Sequence, residues 1–194
     1  MILASCDIGK INTMVVVCEQ SAKFIIKDVY QFCFPSSSSQ ICRKNIEELT
    51  AIFRKVDVVL IEEQLGGFTG SGGRKAGNYN ILMNKYISGI LLGLAMGLNK
   101  YTVTVQPTLR IKYCKLVLSS TPMHTENLNG QYSHGQSKQW SRQLYIWDEI
   151  NGKLDISPQV IAFVDTLKKY DDYWDAYAQA RWFVNNNQQF YVLK

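Results

Sequence analysis

A chain of 194 residues can bury one substantial core, and with 46% apolar and 19% charged residues it reads as globular rather than disordered or fibrous. Lys and Arg outnumber Asp and Glu, 21 against 16, a formal net charge of +5 that suits a polyanionic partner without requiring one. Five cysteines with no C-x-x-C pair argue against a zinc ribbon or disulfide framework, and no signal peptide or membrane-length apolar run is visible, so a soluble intracellular protein with no membrane partner is expected.

Three strand-like runs come first, Ile2 to Asp7, Thr13 to Glu19 and Lys23 to Phe34, rich in Val, Ile, Tyr and Phe and spaced as an antiparallel meander. Gln40 to Lys55 carries Ile41, Ile46, Leu49, Ile52 and Phe53 at helical spacing. The run Val56 to Glu62 is almost continuously apolar, the mark of a central parallel strand covered on both faces. Leu65 to Gly77 is Gly-rich and is expected to be a loop; Tyr79 to Leu98 is a long helix and Tyr101 to Val105 a fifth strand. Beyond Thr108 the chain reads as helices, about Leu109 to Leu118, Ser137 to Ile150, Pro158 to Lys168 and Asp172 to Asn185, with the polar stretch Ser119 to Gly135 as a loop. Ser157-Pro158 is a helix-start pair. The expectation is a single α/β domain spanning 1–194, a five-stranded mixed sheet flanked by helices.

Four carboxylates stand where that order would bring them together. Asp7 and Glu62 end the first and fourth strands, and terminal acids of neighbouring parallel strands meet at the sheet edge where open α/β sheets bind ligands. Asp172 and Asp175 lie three apart on the last helix and share a face, with Ala176 and Ala180 allowing that helix to approach the sheet closely. Each has a plainer reading alone: Asp7 as a turn residue, Asp172 as a helix cap, Glu62 as a solvated strand end. Together, acids at buried strand ends are costly unless something offsets their desolvation and repulsion, and a pair of divalent cations does so. Glu63 and Asp171 are one-residue alternatives to Glu62 and Asp172.

Asp7-Ile8-Gly9 with Asn12, then Ile61-Glu62-Glu63-Gln64, then Asp172-x-x-Asp175-Ala176 resembles the RuvC group of the RNase H-like superfamily, and in size and spacing the poxvirus-type Holliday junction resolvases. Pro107 after the fifth strand and a Lys- and Arg-bearing helix before the last acids belong to the same resemblance, which runs from about residue 1 to residue 184. One departure is that Lys10 and Ile11 reverse the family's Asp-Ile-Gly-x-Lys-Asn order. The resemblance implies an RNase H-like fold, hydrolysis of phosphodiesters at four-way DNA junctions in the processing of recombination and replication intermediates, and a homodimer making paired cuts. It also implies two Mg²⁺ held by Asp7, Glu62, Asp172 and Asp175, with Mn²⁺ able to substitute, and action in the host cytoplasm of a virus.

Gly89, Gly93 and Gly97 form one smooth stripe on the long helix, where three glycines in register point to close approach of another backbone. Either this chain's own sheet or a second copy through Tyr79–Leu98 would fill that role. For DNA, Phe68 is a stacking residue and Arg74 and Lys75 are phosphate contacts in the Gly-rich loop, while Lys112, Lys115, Lys138 and Arg142 form a cationic row on two later helices. The competing readings are a branched-DNA binder that does not cut, and an RNase H-like nuclease acting on RNA–DNA hybrids. Acids facing phosphates weigh against the first.

Overall fold

The computed structural model describes residues 1–9, 12–34, 39–63, 75–119, 134–167 and 170–187, with backbone alone at 39–41, 75–80 and 134–138. The β-branched and aromatic runs at the start form the antiparallel meander β1 (Ile2–Asp7), β2 (Thr13–Gln20) and β3 (Phe24–Phe32). Then come α1 (Ser39–Arg54), β4 (Val58–Glu62), α2 (Lys75–Gly97), β5 (Tyr101–Val105), α3 (Pro107–Ser119) and α4 (His134–Ile150). A short β6 (Leu154–Ile156), α5 (Pro158–Val164) and α6 (Asp171–Asn186) complete the described elements. The sheet order is β5-β4-β1-β2-β3-β6, with β1, β4 and β5 parallel to one another and β1, β2 and β3 antiparallel.

The sheet has six strands, not the expected five. Leu154–Ile156 pairs in parallel with Phe24, Ile25 and Ile26 at the edge of the meander. Three residues are too few to show a period of two, so only the tertiary pairing reveals them as a strand. Helix boundaries also move: α2 begins at Lys75 and α4 at His134, each inside a segment expected to be loop, and α5 stops at Val164. Ser157 is the N-cap of α5 as expected, but its hydroxyl donates to the Lys27 carbonyl at 3.1 Å, tying the helix start to β3, and makes no capping bond.

Strand alternation sends neighbouring side chains to opposite faces and so builds two cores on one sheet. Ala4, Cys6 and Ile8 from β1 and the segment after it, with Val59 and Ile61 from β4, meet Leu49, Ile52 and Phe53 of α1 and Ile87, Leu91 and Ala95 of α2. On the other face Leu3, Val58, Leu60 and Val105 meet α3, α4 and α6 through Tyr113, Cys114, Leu144, Tyr173, Ala176, Tyr177 and Ala180. Asp7 and Glu62 belong by register to this second face, because Cys6 pairs with Ile61 and the next residue of each strand turns the other way. All five residues of β4 are buried, in keeping with its place between two parallel neighbours.

Helix α6 is positioned twice over. Ala176, Ala178 and Ala180 are fully buried, which lets its backbone come close to the sheet. Farther along, the Asp148 carboxylate of α4 accepts from Tyr177 Oη at 2.6 Å and from Arg181 Nε at 2.8 Å and Nη2 at 3.2 Å. Because Asp148 is wholly buried, removing it would leave the Arg181 guanidinium without its partner in a low-dielectric setting. Asp148→Ala is expected to lower the free energy of unfolding by about 3–5 kcal/mol, read from urea titration followed by circular dichroism.

Candidate active site

β1 and β4 deliver Asp7 and Glu62 side by side at the same sheet end, and α6 lays Asp175 over them from the covering layer. All three are buried, at 7%, 9% and 7% exposure. Tight geometry follows Asp7: a Cβ on Gly9 would stand 3.0 Å from the Asn12 carbonyl oxygen, so a side chain there would require that backbone to give way slightly. Thr13 Oγ1 donates to Gly9 O at 2.7 Å, and Gln179 Nε2 of α6 reaches Cys6 O at 3.5 Å.

A cation that the sequence reading did not single out sits among these acids. Arg110 of α3 is 4% exposed, with Nη2 3.1 Å from Asp175 Oδ2 and Nη1 3.5 Å from Glu62 Oε1. Burial alone would lower its pKa, but Asp175, Asp7 and Glu62 together hold it above its ordinary value and keep the guanidinium charged. Its signal was present in the sequence: Arg110, Tyr113, Cys114 and Leu118 fall on one helical stripe, and an arginine in a buried stripe calls for carboxylate partners.

Asp7 is raised well above the usual carboxylate range by burial first, then by the charge of Glu62 and a hydrogen bond shared with it, and then by Asp175; Arg110 offsets this only in part. A hydrogen bond between two carboxyls requires a proton on one of them, so the cluster carries more negative charge than a single guanidinium neutralises. Among the described residues no three His, Cys, Asp or Glu side chains are arranged to hold a metal ion as they stand. The donor chemistry nevertheless fits a hard divalent cation: the acids that converge here offer buried carboxylate oxygens with surplus charge.

Asp172 lies in the first turn of α6, one turn before Asp175 and more exposed than the other three; Asp171 is beside it and equally half-buried. Glu63 follows Glu62 with its backbone N–H bonded to Val105 O at 2.8 Å, continuing the strand, so alternation turns its side chain to the opposite face from Asp7. Lys112 is exposed, Lys115 Nζ stands 5.8 Å from the Trp140 ring centroid, and Arg142 lies 5.3 Å from that of Trp174, which itself stacks on Tyr170. Phe68 and Arg74, the Lys75 and Lys138 side chains, and the Lys10-Ile11 reversal fall outside the described residues.

The fold is similar to that of fowlpox virus resolvase, solved with substrate Holliday junction DNA, at a TM-score of 0.61 and 16% identity, with 100% of each chain covered. The yeast mitochondrial Holliday junction resolvase Ydc2 matches at 0.60 and 16%, over 97% of this chain and 85% of that one. RuvC of Thermus thermophilus matches at 0.51 and 12%, over 96% of both. The chain shares the RNase H-like fold with these proteins. No protein-family model and no curated relative matches it. Within this fold the sixth strand, β6, extends the expected sheet at its meander edge.

A carboxyl whose folded pKa is raised adds stability below its unfolded value of about 4 and loses it as the pH climbs through the folded value. Asp7→Asn mimics the protonated form at every pH. In chelator, the variant is expected to melt above wild type at pH 7, the gap closing as the pH falls toward 4, by differential scanning calorimetry.

Proposed function

We propose that this chain is a Holliday junction resolvase, a single-domain endodeoxyribonuclease that hydrolyses phosphodiesters at four-way DNA junctions with divalent metal ions. The observation that carries the reading is the convergence of Asp7, Glu62 and Asp175, from three separate elements, on one face of an RNase H-like sheet. Support comes from the fold likeness over the whole chain to proteins named as junction resolvases, two of them solved with junction DNA.

Asp7, Glu62 and Asp175, with Asp172 from the same helix, would hold two Mg²⁺ or Mn²⁺. Such ions, when bound, neutralise charge on the phosphate and activate water. The protein's own part is to keep these oxygens gathered: the β1–β4 register places the first two, and the alanine face of α6 sets the depth of Asp175. Lys112, Lys115, Arg142, Lys138, Arg74 and Lys75 are read as phosphate contacts and Phe68 as a base-stacking residue. With the net charge of +5, binding should weaken steeply with salt. Action in a host cytoplasm is part of the proposal, on the viral resemblance; among the described residues no helix is long and apolar enough to cross a membrane.

A homodimer through α2 is part of the proposal. Ile87, Leu91 and Ala95 turn one side of the helix into the core, while on another side Leu82, Tyr86 and Met96 are 59%, 65% and 61% exposed. A Cβ at Gly89, Gly93 or Gly97 would meet nothing within 4 Å, so the stripe is not a seat for this chain's own sheet. A smooth, apolar, open face suits a second copy placing two sites symmetrically. A non-cleaving junction binder is disfavoured, since buried acids beside phosphates would only weaken binding.

On a synthetic mobile four-way junction with Mg²⁺ or Mn²⁺, the wild type should make paired cuts, in preference to flaps and RNA–DNA hybrids. Asp175→Asn should cut more slowly by more than the roughly 10–100-fold that follows loss of an outer-shell metal partner, and still bind the junction in a mobility-shift assay. A variant cutting at the normal rate would sink the metal role. Gly93→Leu should leave the melting temperature within a few degrees of wild type and convert the dimer to monomer in sedimentation.

A further inference from the structure

A buried arginine that spans two carboxylates from different elements is doing more than filling a core. Arg110 reaches Glu62 Oε1 from one nitrogen and Asp175 Oδ2 from the other, so a single guanidinium straddles oxygens that come from β4 and α6. Among the described residues its Nε has no hydrogen-bond partner, so the α3–α4–α6 layer does not grip the side chain through that atom. These are the same carboxylates that a divalent ion would need, and a guanidinium left among them would repel an incoming cation at close range.

We propose that Arg110 is a built-in counter-cation that divalent metal displaces from Glu62 and Asp175, so that loading the site is an exchange of cations rather than a simple addition. This rests on the metal-nuclease reading above. In the metal-free protein the guanidinium screens the mutual repulsion of the three acids and holds Glu62 to Asp175. When metal takes those oxygens, the side chain is released while still tethered to α3 beside them. Its planar fork matches the oxygens of a phosphodiester, so the released group is placed to receive the anionic substrate. The exchange makes metal binding weaker than the carboxylates alone would give.

The test is calorimetric titration of MgCl₂ or MnCl₂ into the DNA-free protein, with melting temperature read in parallel. Arg110→Gln should melt below wild type in chelator, bind metal more tightly by at least about fivefold, the lower end of ordinary coupling between sites, and gain more melting temperature from metal. Arg110→Lys keeps the charge, but a single ammonium is a poorer bridge between the two carboxylates, and its affinity should fall between the two. If Arg110→Gln does not fold, the Arg110→Lys comparison decides. Equal or weaker metal binding in the folded variants overturns the exchange and leaves Arg110 as a strut that shapes the acids for the ion. Absence of metal uptake by wild type and variants alike overturns the metal reading itself, and the exchange with it; junction cleavage by the wild type tells these two failures apart.

Discussion

Three carboxylates pressed together beneath a helical layer lose their hydration and repel one another, and the structure is organised around containing that cost. Asp7 responds by holding a proton far more tightly than an ordinary aspartate, and Glu62 shares a hydrogen bond with it. Asp175 is met instead by a guanidinium, and Arg110 touches Glu62 as well. A proton and an arginine together bring the metal-free cluster toward neutrality without removing its anionic surplus.

Placing those groups falls to ordinary secondary-structure geometry. Parallel pairing of β1 and β4 sets Cys6 against Ile61, and the period of two then turns Asp7 and Glu62 to the same side. A one-residue slip would send one of them into the opposite core. Helix α6 has no such register to rely on. Its depth comes from alanines that let it settle against the sheet, and its rotation from Tyr177 and Arg181 clasping the buried Asp148. That clasp lies on α4, away from the acids, yet it helps hold the helix that carries Asp175.

The other side of the sheet is built differently. α1 and α2 cover it with an apolar layer, and the α1 ion pairs Arg43–Glu47 and Lys44–Glu48 lie on the exposed side of that helix. α2 is apolar well beyond what its inward stripe requires, and its glycines open onto free space. The acidic cluster and the proposed self-association therefore occupy opposite faces of one sheet, linked by β1 and β4 at its centre.

Much of this was legible in the residues. Alternation and β-branched composition marked β1 to β5, helical spacing marked α1 to α4 and α6, and the chain order of Asp7, Glu62 and the late aspartates, with the motif resemblance, pointed to one acidic cluster and to the RNase H-like fold. What escaped depended on partners distant in the chain. β6 is a strand only because β3 lies beside it, and the glycine stripe of α2 could not say whether it faced the sheet or open space until the helix was docked. Arg110 lies on a buried stripe that periodicity could have flagged, but its carboxylates are 48 and 65 residues away. Local sequence determines which side of an element is apolar and where charge interrupts it, because those are properties of neighbouring residues. Which charge meets which is decided by the tertiary packing that brings β4, α3 and α6 to one point.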